Sequence, residues 1–122
     1  MSYRDLVAWK KAMELVKQIY DVTDSFPQHE MYGLVSQLRR AAVSIPSNIA
    51  EGQAHYTNPE FVRFLRHARG SLAEIEAQLL IAQDRGYLPN TKGDDLIHRT
   101  DELGRVISGL INSMKNKADE AG

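Results

Sequence analysis

The sequence predicts an all-α protein, an antiparallel up-down four-helix bundle formed by a single domain over residues 1–122. Three observations carry that expectation. Apolar residues recur at alternating three- and four-residue steps in four separate segments. Short stretches rich in Pro, Gly and Asn divide the segments. No segment alternates polar and apolar residues as a half-buried strand would. Short connections make successive helices antiparallel neighbours, and repeats near 3.5 residues suit shallow crossing angles.

The first helix is expected over residues 5–25. Leu6, Trp9, Met13, Val16 and Tyr20 form one seam, and Ala12, Leu15, Ile19, Val22 and Phe26 form a second beside it. Two seams suit either a helix deeply seated in its own bundle or a helix with one seam against a neighbouring subunit. A small bundle cannot surround a terminal helix, so the second reading is preferred, with Leu15, Ile19 and Val22 at the subunit interface.

Phe26-Pro27 ends that helix, because the residue before proline is pushed out of the α region. Pro27 suits the opening turn of the next. Helix two is expected over 28–53, with Met31, Leu34, Leu38, Ala41, Ala42, Ile45 and Ile49 inward and Gly52 marking its end. Thr57 or Asn58 caps helix three (58–86), with Pro59 in the first turn and Glu60 at the capping-box position. Its seam is Phe61, Leu65, Ala68, Leu72, Ile75, Leu79 and Ala82, and Gly86 is the left-handed stop. Helix four (92–117) buries Leu96, Thr100, Leu103, Ile107, Leu110 and Met114. Its acids lie early and its lysines late, which suits the helix dipole.

Composition excludes several function classes. The absence of cysteine removes disulfides, thiolate zinc sites and cysteine nucleophiles. A net charge of −1 leaves no overall basic excess for nucleic acid, so any anion-binding surface must be local. Neither a signal-peptide pattern nor a membrane-length apolar run occurs, and the expected compartment is the cytoplasm, with no membrane partner.

No catalytic residue, metal site or cofactor is expected. Bundle di-metal sites need two Glu-x-x-His pairs, and the nearest match, Asp95-Leu96-Ile97-His98, has no second copy. His29, His55, His67 and His98 read as surface histidines, and Arg63 with His67 misses the Arg–His spacing of helical toxin ribonucleases. The serines lack a nucleophile setting. The isolated Gly70 and Gly104 read as points of close helix approach.

The most unusual stretch is Gln37–Gly52. Pro46 sits inside the second helix, where it removes one backbone donor and crowds the Ala42 carbonyl, at about 3 kcal/mol. Ser44, Ser47 and Asn48 stand ready to satisfy the freed carbonyls. Together with Glu51 and Gly52 they form a structural motif that shapes the helix for packing or assembly. Upstream lie Arg39 and Arg40. From Ser36 to Arg69 these two join Arg63, Arg66 and Arg69 against only Glu51 and Glu60. The five arginines could share one flank of helices two and three and bind RNA or DNA phosphates. The plainer alternative is a solvated face paired with Glu51, Glu60, Glu74 and Glu76.

Asp5-Leu6-x-x-Trp9-x-x-Ala12-Met13, Phe26-Pro27, Tyr32-Gly33-Leu34, the run Gln37 to Gly52, Phe61-x-x-Phe64-Leu65 and Ala68-Arg69-Gly70-Ser71-Leu72-x-Glu74-x-Glu76 resemble a known family. It is the bacterial four-helix-bundle family encoded in intervening sequences of 23S ribosomal RNA genes. The resemblance implies a bundle that assembles as a homopentameric ring. It names no established activity. The chain is also similar to the accessory variability determinant of diversity-generating retroelements, a pentameric bundle that binds nucleic acid and a reverse transcriptase. That relative is markedly basic and this chain is not. Two expectations follow. One is a non-enzymatic oligomer that binds nucleic acid through the arginines, with avidity from the ring. The other is a protein-interaction scaffold without nucleic-acid contact.

Overall fold

The computed structural model describes residues 2–54 and 57–121, with side chains to Asn116. His55 and Tyr56, at the expected tip between helices two and three, lie outside the described residues. Four α-helices and no strand occur among the described residues: α1 (Val7–Thr23), α2 (Leu34–Ala54), α3 (Asn58–Asp84) and α4 (Asn90–Ala121). α1 packs on α2 and α4, and α3 packs on the same two helices, so α1–α3 and α2–α4 are the diagonals.

The first helix is shorter than its pattern suggested. Tyr3–Asp5 form a 3-10 turn, capped by Ser2 accepting the Arg4 N–H, and extended Leu6 separates this turn from α1. At the other end, Thr23 Oγ1 donates to the Ile19 carbonyl at 2.6 Å, which closes the last turn.

Helix two starts six residues later than expected. Gln28–Glu30 form a 3-10 turn, and the chain turns again before α2 begins at Leu34. Glu30 supplies the start signal, because its carboxylate accepts the Leu34 N–H at 3.2 Å. Gly33 makes room for it: a Cβ there would lie 2.7 Å from Glu30 Oε1. Met31 therefore falls outside the helix and is exposed rather than inward.

Pro46 stays inside α2 and is buried. Ser44 Oγ donates to the Ala41 carbonyl, Ser47 Oγ to that of Val43, and Asn48 Nδ2 to that of Ser44, at 2.7–2.9 Å. These bonds flank the Ala42 carbonyl, whose helical donor Pro46 lacks. Gly52 is not a stop signal. It lies within α2, where a Cβ would come 2.6 Å from Phe64 Cβ, so it is the point of close approach to α3. Gly70 and Gly104, expected in that role, have open space and one ordinary contact to Leu72.

Thr57 caps α3 by accepting the Glu60 N–H, and Gly86 follows the helix at φ +77°, the left-handed value its position requires. The α3 seam is buried throughout. α4 extends beyond 92–117 at both ends, since no Pro or Gly interrupts its final turns. Its seam shifts by one residue, so that Ile111 is buried and Leu110 and Met114 only partly so.

The core lies between the four helices, with Ile19, Leu38, Ile45, Ile49, Leu65, Ile75, Leu79, Leu96, Leu103 and Ile107 fully buried. Each contributes roughly 1.5–3 kcal/mol before entropy. Leu15, Ile19 and Val22, expected at a subunit interface, belong to this core. The α1 seam left partly open is the other one, where Met13 and Tyr20 are exposed.

Candidate functional site

The α1–α2 face is built from two neighbouring grooves. Tyr20, Met31, Tyr32, Val35 and Val43, with Arg39 and Arg40, line one of about 640 Å3. Trp9, Met13, Val16, Val43 and Pro46 line the other, of about 310 Å3, and Val43 is common to both. Tyr32 is 97% exposed, and Met13, Tyr20, Met31 and Val43 are exposed between 40% and 45%. Lone exposed apolar residues are ordinary, but five large ones on a continuous face are not. Local structure explains the arrangement. The late start of α2 places Met31 and Tyr32 in the turn before it, and the inward turn of the Leu15 seam leaves Met13 and Tyr20 outside. The sequence carried Met13, Tyr20 and Met31 in seams but not Tyr32 or Val43, and it held no signal for which of the two adjacent α1 seams would face out.

The five arginines do not converge. Arg39 closes the end of α1: Nε donates to Thr23 Oγ1 and an Nη to Asp24 Oδ1, both at 2.9 Å, while the guanidinium lies 4.7 Å from the Tyr20 ring centroid. It is a structural residue, held by packing and charge together. Arg63 pairs with Glu60 at 3.0 Å and lies over the Phe64 ring. Arg69 turns to α4, where it donates to Ser108 Oγ at 3.3 Å. Arg40 and Arg66 are exposed and have no ion pair among the described residues. Glu51 is likewise exposed.

Between α2 and α3 lies a polar cleft of about 340 Å3. Ser44 Oγ, its own proton on the Ala41 carbonyl, accepts from Ser71 Oγ at one end, and Gln78 Nε2 donates to Gln37 Oε1 at 3.4 Å at the other. Arg40 and Glu74 line it between these links.

A second polar cluster joins the turn before α2 to the end of α3. Glu30 accepts both the Leu34 N–H and the Tyr87 hydroxyl, which hold its carboxyl below the usual carboxylate value. The Lys11 ammonium, hydrogen-bonded to Glu102 across α1 and α4, does the same for that carboxyl. Sequence reasoning missed the Glu30–Tyr87 link, which joins residues 57 positions apart. Among the described residues, no three His, Asp or Glu side chains converge to hold a metal ion, and no helix is long and apolar enough to cross a membrane.

These features define a class: an all-α four-helix protein with an exposed apolar face and scattered surface cations. The chain belongs to the 23S rRNA-intervening sequence protein family, whose profile matches residues 4–109. It is similar in structure to a protein of unknown function from the S23 ribosomal protein family of Bacteroides thetaiotaomicron VPI-5482. The TM-score is 0.77 at 19% identity, covering 86% of this chain and 98% of that one. At that identity the likeness speaks for the fold. Comparison with curated proteins finds no match.

Proposed function

We propose that this protein is a non-enzymatic, self-assembling scaffold: an up-and-down antiparallel bundle whose α1–α2 face docks a second copy of the chain and closes into a ring, as the resemblance to pentameric relatives implies. The observation that carries the reading is the continuous exposure of Met13, Tyr20, Met31, Tyr32 and Val43. A face with large aromatic and Met side chains and few charges has the make-up of an interface core. The resemblance supplies the occupant, since the relatives it invokes pair with copies of themselves. Native mass spectrometry tests the proposal. Wild type is expected as an oligomer, and Tyr32→Glu with Met31→Glu as a folded monomer. A monomeric wild type at micromolar concentration overturns it.

A second reading keeps nucleic acid as a partner of the assembled ring. The specific observation is that Arg40 and Arg66 hold no ion pair among the described residues and remain available to phosphates. Repetition around a ring would turn weak contacts into avidity. The likeness to the accessory variability determinant of diversity-generating retroelements belongs to this reading. RNA affinity should fall steeply with salt, and Arg40→Ala with Arg66→Ala should flatten that slope. Absence of RNA and DNA binding at low salt refutes it and leaves the scaffold reading intact.

A further inference from the structure

The cleft between α2 and α3 combines two features, a pair of charges on its walls and an orphaned carbonyl at one end. Its walls carry opposite charges, Arg40 on α2 and Glu74 on α3, and neither is in an ion pair among the described residues. Gln78 at one end is 9% exposed, and its Oε1 is buried without a hydrogen-bond partner. Such an orphaned carbonyl gives up hydrogen-bond energy.

The cross-links set the size of the space. Ser44–Ser71 and Gln37–Gln78 are seven residues apart along each helix, about 10 Å. A groove of that length, about 340 Å3 in volume, has room for one nucleobase-sized group.

We propose that this cleft binds a guanine base, with the Watson–Crick edge against Glu74 and the O6/N7 edge against Arg40. The donor–acceptor patterns of the bases decide this. Guanine is the base with two adjacent donors, N1–H and the N2 amine, which match the two oxygens of one carboxylate. Its other edge carries O6 and N7, the pair that an arginine fork reads bidentately. Adenine would set its N1 lone pair against the Glu74 carboxylate. Uracil offers a single donor flanked by two acceptors. Cytosine, the nearest rival, offers Glu74 one amine and no second donor beside it. The base comes either from a free nucleotide or from an unpaired guanosine in a single strand.

This inference deepens the nucleic-acid reading above, with which it shares Arg40. Calorimetric titration of the full chain with guanosine, inosine, adenosine, cytidine and uridine monophosphates tests it. A parallel arm uses single-stranded RNA hexamers that differ at one central base. Guanosine is expected to bind at least about tenfold more tightly than the others, and inosine, which lacks the N2 amine, to lose about that factor. Glu74→Gln, at an exposed position, should abolish the guanosine–inosine difference, and Arg40→Ala should weaken guanosine, with unchanged thermal melting. Binding of the mononucleotide identifies the free nucleotide as a source, and binding confined to the hexamers identifies the single strand. Equal affinity for all bases, or a preference that survives Glu74→Gln, overturns the proposal. Salt-dependent RNA binding without base preference overturns it alone, whereas a mononucleotide preference without RNA binding overturns only the nucleic-acid reading.

Discussion

Two grooves on different sides of this bundle have nearly equal volume and differ in the polar side chains around them. The α1–α2 groove, about 640 Å3, is lined by Tyr20, Met31, Tyr32, Val35 and Val43. The α3–α4 groove, about 630 Å3, is lined by Arg69, Glu76, Asp101, Arg105, Ser108 and Asn112 around Leu72, Ala73 and two glycines. Both are valleys between helices with the same seam spacing, so helix packing alone produces the space. What differs is the residue next to each seam. On α1 and α2 that residue is large and apolar, and leaving it in water costs roughly 25 cal/mol per Å2. On α3 and α4 it is charged or small, and acids and arginines of both signs border the apolar floor. Only the first groove is bordered by large exposed Tyr and Met side chains.

The largest expected effect breaks the first groove. Tyr32→Glu with Met31→Glu should weaken self-association more than about 100-fold, because it sets two charges into the core of the proposed interface. Ala73→Glu with Ser108→Glu, in the second groove, should leave the native mass unchanged. Equal responses from the two grooves would erase the distinction.

Next is Gly52→Val, which adds side-chain bulk where a Cβ alone would lie 2.6 Å from Phe64 Cβ. Denaturant unfolding should show about 1–3 kcal/mol of lost stability. Gly70→Ala has open space and should be neutral or slightly stabilising. Arg39→Ala removes bonds to Thr23 and Asp24 and the cover over Tyr20. It should cost about 1–2 kcal/mol in the same assay. Arg69→Ala, which loses one long bond to Ser108 at the second groove, should stay within about 0.5 kcal/mol.

The smallest effect is a pH dependence at the rim of the first groove. The Glu30 carboxyl is held below its ordinary 4.5 by the Leu34 N–H and the Tyr87 hydroxyl. A lowered folded-state value means that its stabilisation is complete above the ordinary value and disappears as pH falls through the folded value. Thermal melting between pH 6 and about pH 3 should fall more steeply for wild type than for Glu30→Gln. Parallel curves would show that the carboxylate does not hold the start of α2.

Much of the fold was legible in the residues. The α3 seam from Phe61 to Ala82, the Thr57 cap and the Gly86 stop stand where spacing and capping chemistry place them. These signals are local, spanning three to five residues each, and the chain needs no distant contact to express them. The start of α2 was not legible, because it depends on Glu30 reaching Leu34 past a glycine and on Tyr87, which lies far along the chain. The candidate site was legible as a set of residue types and not as an arrangement. Arg39 and Arg40 are neighbours in sequence, yet one locks α1 and the other lines two clefts, because adjacent helical positions point about 100° apart.

By itself the sequence determined four helices, most of their inward faces and the polar repair around Pro46, since periodicity, capping and the bonding of Ser44, Ser47 and Asn48 act within a turn or two of helix. Tertiary structure decided which of the two α1 seams is buried, which arginines are committed and where the exposed apolar face lies. The reason is rotational. Two adjacent apolar seams on one helix have nearly the same local energy, and the choice between them falls to the helices packed on either side.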